Sequence, residues 1–127
     1  MKIAKNDIEV KMQIPGAVVR QHNDFGDASG YGKISGEYFS LSAGVDTTPL
    51  FIGLKGNMCQ CPHWGYVLSG QLTTTDADGT EETVDAQELF FWPAGHNVKV
   101  NADAEIIMFS PQHEHGEVID HMIKMTS

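Results

Sequence analysis

The sequence predicts an all-β fold, an antiparallel sandwich or barrel closed by one helix, and three observations carry that prediction. Short runs rich in β-branched and aromatic residues recur every eight to twelve residues. Gly, Pro and Asp punctuate them, as turns between strands require. Helical spacing of apolar residues is confined to the stretch from Glu114 to Met125, where Val118, Ile119, Met122 and Ile123 recur on one face.

Taken in order, Ile8, Val10, Met12 and Ile14 alternate with Glu9, Lys11 and Gln13, a period of two that predicts a strand ended by Pro15-Gly16. This N-terminal arm has no obvious partner within the chain. Ala17-Val18-Val19 leads into a loop over 21–33, crowded with Asn23, Asp24, Gly26, Asp27, Ser29, Gly30 and Gly32, in which His22 reads as a surface residue. A strand follows from Ile34 to Ala43, then the turn Gly44 to Pro49, the apolar Leu50-Phe51-Ile52, and a second turn around Gly53 to Asn57. The run from His63 through Thr75 is strand. Asp76-Ala77-Asp78-Gly79 is a hairpin turn, and Thr80 to Val84 returns from it. Leu89-Phe90-Phe91-Trp92 reads as a buried strand stopped by Pro93-Ala94-Gly95, His96 to Val100 alternates, and Ile106 to Phe109 is the last strand before Pro111.

A chain of 127 residues is one domain, able to bury a core without staples. Its formal charge of −9 argues against a phosphate-binding face, hence against nucleic acid, and against a polybasic membrane patch. No run reaches the roughly 18 apolar residues of a membrane span, and the first residues lack the apolar stretch of a signal peptide, so a cytoplasmic protein is expected. A glycine-rich phosphate loop, a nucleophile elbow and an inward carboxylate pair are all missing from the pattern.

Chemistry concentrates between Met58 and Gly70, where Cys59, Cys61 and His63 fall within five residues. Residues two apart on a strand have Cα atoms about 6.6–6.8 Å apart, the upper edge for a disulfide, so the cysteines read as free thiols or thiolate ligands. If the strand extends back through Pro62, Cys59 and Cys61 share the face of His63, with Gly65, Val67 and Ser69. Trp64, Tyr66 and Leu68 take the other face, and both faces read as apolar. His96 has the parity of Val98 and Val100 and points inward, while Asn97 and Lys99 face water. His113-Glu114-His115 reads as a solvated connection capping the C-terminal helix, and His121 as a mid-helix residue.

Two blocks resemble the cupin family of small β-barrels: His63-Trp64-Gly65-Tyr66-Val67-Leu68-Ser69-Gly70-Gln71-Leu72, similar to its first motif, and Leu89-Phe90-Phe91-Trp92-Pro93-Ala94-Gly95-His96, similar to its second. The resemblance covers roughly residues 34 to 111. It implies a single antiparallel jelly-roll barrel with an N-terminal strand arm and a short C-terminal helix, and, as small cupins commonly pair, a homodimer in which the arm adds to a neighbour's sheet edge. Counting back from Gly70, His63 stands where the family has glutamate, its usual histidine pair falls on Asn57 and Cys59 or on Gly56 and Met58, and its later histidine falls on Val98. The usual three-histidine, one-glutamate set is therefore absent.

What the residues offer instead is a displaced set of Cys59, Cys61, His63 and His96 at one end of the barrel. Thiolates and imidazoles together favour zinc, with ferrous iron second. Four ligands would close the site; if one cysteine turns away, a position opens to water or substrate. The expectation is a small metal-binding cupin, with or without catalysis on a small organic metabolite. The alternatives are a metal-free sensor or carrier for a small molecule, and an interaction protein whose barrel is filled by its own side chains.

Overall fold

The computed structural model describes residues 1–26, 30 and 32–127. Among the described residues, besides three short 3-10 turns, seven strands and one α-helix follow in chain order: β1 (Val10–Ile14), β2 (Ala17–His22), β3 (Ile34–Leu41), β4 (His63–Asp76), β5 (Glu81–Asp85), β6 (Leu89–Trp92), β7 (His96–Pro111) and α1 (Gln112–Thr126). All pairings are antiparallel, in the order β1-β2-β3-β7-β4-β5, with β6 on the same edge of β4 as β5 but at its other end. Among the described residues no helix is long and apolar enough to cross a membrane.

The paired β4 and β7 form the spine. Their register runs from Trp64↔Phe109 to Asp76↔His96 and shifts between Val67 and Leu72. Such bulges bend a long strand pair so that one strand can serve both halves of a barrel. Gly70 sits at this bend with φ +91°, and a Cβ there would lie 2.2 Å from the Asp103 carbonyl oxygen. Only glycine combines that backbone with that approach. Val19, Val67, Leu72, Val100 and Ile106 fill the interior, and α1 closes it with Val118, Ile119 and Met122.

Several expectations are corrected. The N-terminal arm is not unpartnered, since β1 pairs with β2 through Val10↔Arg20 and Met12↔Val19. Strand β2 runs through Gln21 and His22, so the loop begins later; Asp27 and Ser29 lie outside the described residues. The two runs 96–100 and 106–109 belong to one strand, β7, because the polar stretch between them still pairs with β4 through Gln71↔Ala102. Strand β6 is buried on one face only: Phe90 and Trp92 point inward, while Leu89 is 84% exposed and Phe91 49%. Strand β4 is likewise one-sided, with Trp64 half exposed. A short apolar run does not by itself distinguish a strand buried on both faces from one with an apolar outer face. Finally, α1 begins at Gln112, and no side chain caps its N-terminus, which lies at Pro111.

Candidate functional site

Each site residue is placed by the local logic of its strand. His63 opens β4 just after Pro62, which cannot donate to a ladder and so fixes where the strand begins. His96 opens β7 after the Pro93-Ala94-Gly95 turn. Cys59 lies before β4 and reaches the site by its own backbone: its N–H donates to His96 O at 2.9 Å, and its carbonyl accepts from Gly95 N at 2.7 Å. That isolated bridge sets the cysteine beside the second histidine.

The result is a buried group in which the ligand atoms of Cys59, His63 and His96 all lie within 4.8 Å of one another. Cys59 Sγ is 3.5 Å from His63 Nε2. Cys61 is also fully buried, but its Sγ turns to the carbonyls of Pro62, at 3.4 Å, and Pro111, at 3.8 Å, and it stands outside the group. Pro62 separates the two cysteines from β4, so the shared face expected for Cys59, Cys61 and His63 does not form as one continuous strand. Both thiols are free.

Both imidazoles are held at Nδ1. His96 Nδ1 lies 2.6 Å from Pro93 O, which can only accept, so Nδ1 carries the proton and Nε2 keeps its lone pair. His63 Nδ1 lies 2.7 Å from Ser110 Oγ, and that hydroxyl gives its single proton to Glu37 Oε1 at 2.6 Å. The serine must then accept from His63, which leaves Nε2 free to face Cys59.

Behind the histidines stands a buried polar core that the sequence reading did not find. Glu37, on β3, accepts hydrogen bonds from Ser110, from Ser35 Oγ at 3.0 Å, from Gln21 Nε2 at 3.0 Å and from His115 Nδ1 at 2.5 Å. A carboxylate removed from water needs such a set of donors. His115, expected at the surface, is buried on α1 against the His63 ring, with centroids 4.2 Å apart. Glu37, His63 and His115 form the second buried group of potential ligand atoms among the described residues. The signals were available: Glu37 shares the parity of Phe39 and Leu41, Ser110 that of Ile106 and Met108, and His115 precedes Val118, Ile119 and Met122 at helical spacing. His113 is exposed beside Glu117, and His121 Nε2 meets the Ile52 carbonyl at 2.8 Å.

Burial governs the protonation of the group. It pushes the Cys59 thiol up to about 12, with the nearby Glu37 charge adding to the effect and the hydrogen bond to Cys61 opposing it. It raises Cys61 as well. Burial, then the neighbouring His115 and His96, hold His63 well below the ordinary histidine value; burial also lowers His96, against the pull of the Pro93 carbonyl. The imidazoles are therefore neutral, the state in which nitrogen can ligate. The group borders a partly open pocket of about 60 Å³, lined by Phe39, Phe51, Met108, Met122 and Trp92 in the core and by the half-buried Leu41, Val45 and Leu50.

No protein-family model matches the chain, and no curated protein matches its sequence. Solved structures do resemble it. An RmlC-like cupin from Shewanella frigidimarina NCIMB 400 superposes with a TM-score of 0.59 at 15% identity, over 90% of this chain and 93% of that one. The polyketide cyclase RemF from Streptomyces resistomycificus gives 0.58 at 20% identity, over 87% and 78%. Bacillus subtilis oxalate decarboxylase, a protein with Mn(II) centres, gives 0.59 at 16% identity over 86% of this chain, which spans only 28% of that enzyme's length. With the strand order, the long bent β4–β7 pair and the two blocks at His63 and Leu89 already in place, these likenesses show that the chain has the cupin jelly-roll fold.

Proposed function

We propose that the protein is a small metal-binding cupin in which Cys59, His63 and His96 hold one divalent cation. The observation that carries this reading is the separation of 3.5 Å between Cys59 Sγ and His63 Nε2. Bonds of about 2.3 Å to sulfur and about 2.05 Å to nitrogen at a tetrahedral angle put those two atoms roughly 3.6 Å apart. The donor set favours zinc, with ferrous iron second, since one thiolate and two imidazoles suit a borderline cation. With three protein ligands, a bound cation would supply Lewis acidity at an open position.

The chain's own residues prepare that position. Pro93 O and the Ser110–Glu37 pair fix the tautomers of the two histidines, the role that outer partners play for ligating imidazoles. His115 supports the Glu37 carboxylate and packs on His63, so the last element of the fold holds a ligand in place. In this reading Cys61 is a buried spectator, and the free thiols suit a reducing compartment such as the cytoplasm.

The metal-free reading, a carrier or sensor for a small molecule, is disfavoured by the pocket, whose roughly 60 Å³ falls far below the several hundred Å³ of ordinary ligand pockets. Elemental analysis of protein purified without chelator tests the proposal. We expect close to one zinc or iron per chain, lost when His63 and His96 are both changed to alanine; a metal-free parent, or unchanged content in the variant, overturns it.

The chain is further proposed to pair with itself through the outer face of β6, β4 and β7. Phe91, Trp64 and Phe109 lie in register across these strands, with Leu89 beside Tyr66 in the next row. Trp64 is 50% exposed and Phe109 42%, and contiguous apolar surface of this kind marks interaction sites.

A further inference from the structure

The candidate centre is not sealed inside the core. The partly open pocket that it borders extends from Cys59, His63 and His96 to the half-buried Leu41, Val45 and Leu50. Leu41 ends β3, and Val45 and Leu50 belong to the segment that follows it, with Leu50 closing the short turn Thr48–Leu50. The approach to the centre therefore runs past an aliphatic collar.

Charge is missing from that approach. Among the described residues the pocket wall includes no Lys, Arg, Asp or Glu, and its one hydroxyl belongs to Thr47. Thr47 Oγ1 gives its proton to Asn97 Oδ1 at 3.2 Å and accepts from Val98 N at 2.8 Å, so it has no proton to offer an incoming anion. At the centre itself, a thiolate at Cys59 would offset one of the two charges of a divalent cation, which weakens its pull on anions. An ionised group on the body of a ligand would leave water for an apolar wall without a counter-ion, a costly transfer. Methylene groups gain by the same transfer.

We propose that the centre takes monofunctional ligands with an uncharged body: molecules with a single oxygen or sulfur donor for the cation's open position and an apolar remainder that lies against Leu41, Val45 and Leu50. This rests on the metal reading above and narrows the ligand to a class. The cation anchors the head, the collar selects the body, and acids with a second charged group fall outside the class.

Ethanethiol, 1-butanethiol and 2-mercaptoethanesulfonate are the probes, since they share a head group and differ in the body. The whole protein is loaded with cobalt(II), its cobalt content is verified by elemental analysis before and after titration, and the cobalt absorption bands are followed as each thiol is added. The two methylenes that 1-butanethiol adds to ethanethiol should tighten binding about threefold each, so about tenfold together. The sulfonate should bind at least about tenfold more weakly than 1-butanethiol. Leu50→Lys, which places a cation at the collar without touching the centre, should tighten the sulfonate at least about threefold with cobalt content unchanged; Val45→Lys serves the same purpose if the first variant fails to fold. Failure to take up cobalt overturns the metal reading and this inference with it. A loaded protein that binds none of the thiols, binds the sulfonate as tightly as 1-butanethiol, or gains nothing from the longer chain overturns the ligand class alone. Sulfonate affinity unchanged by a lysine at the collar overturns the place assigned to the body.

Discussion

His63 is held on two sides, by Ser110 at Nδ1 and by Cys59 at Nε2, and the functional reading depends on that double attachment. Removing the serine hydroxyl leaves Nδ1 without its acceptor and Glu37 without one of its donors. Ser110→Ala should therefore lower zinc affinity about 10- to 100-fold in a competition titration with a chelating dye. It should also cost about 1–3 kcal/mol in urea unfolding. A variant with parental zinc affinity would show that the relay does not support the site. The cysteines separate by the same reasoning: Cys59→Ser should lose most bound metal, whereas Cys61→Ser, whose thiol faces the Pro62 and Pro111 carbonyls, should keep it. Equal losses in the two variants would return Cys61 to the ligand set. At this scale the sequence showed the inward His96 through its parity with Val98 and Val100, and it brought Cys59 and His63 together by proximity. It concealed Glu37 and His115 because a charged side chain on an alternating strand, or beside a turn, is ordinarily read as solvated. Their burial depends on a partner 78 residues away.

Among the elements, the bent pair of β4 and β7 determines where everything else sits. Gly70→Ala tests it directly. The left-handed backbone disfavours a Cβ by about 1–2 kcal/mol, and displacing the Asp103 carbonyl from its path adds about 1–3 kcal/mol. The urea midpoint should fall accordingly. A loss below about 1 kcal/mol would mean that the bulge can relax and does not set the bend. Strand alternation and turn residues made most of these elements legible in advance, with boundaries close to those found for β3, β4 and β6. The unity of β7 was hidden by the run from Asn101 to Glu105, whose acidic and amide residues interrupt the apolar alternation. Local pattern cannot reveal that β4 keeps pairing alongside it.

At the scale of the whole molecule, the row of Phe91, Trp64 and Phe109 faces outward in a chain of net charge −9. Charge keeps copies apart in general, so an uncharged aromatic face is where two of them can meet at least electrostatic cost. Light scattering after size exclusion should give twice the chain mass at micromolar concentration. Trp64→Glu should give monomer with its β-sheet circular dichroism intact, since the side chain lies outside the core. A monomeric parent, or a variant that remains dimeric, contradicts the proposed pairing face. The sequence announced the barrel through its two family-like blocks, but the inward or outward assignment of its aromatics became visible only once β6 was seen lying against one edge of β4.

The bond between Glu37 and His115 also has a meaning in time. β3 comes early in the chain and pairs locally with β2, whereas α1 follows the last strand, so the histidine reaches the carboxylate only when the far end of the chain comes in. Closing so long a loop is slow compared with making local hairpins. Until α1 docks, Glu37 remains open to water, and the wall that holds His63 is incomplete. Docking of α1 therefore dries the carboxylate and completes the wall behind His63 in one event, so that a chain without this contact can hold most of its sheet and still leave the Cys59–His63–His96 group unsupported.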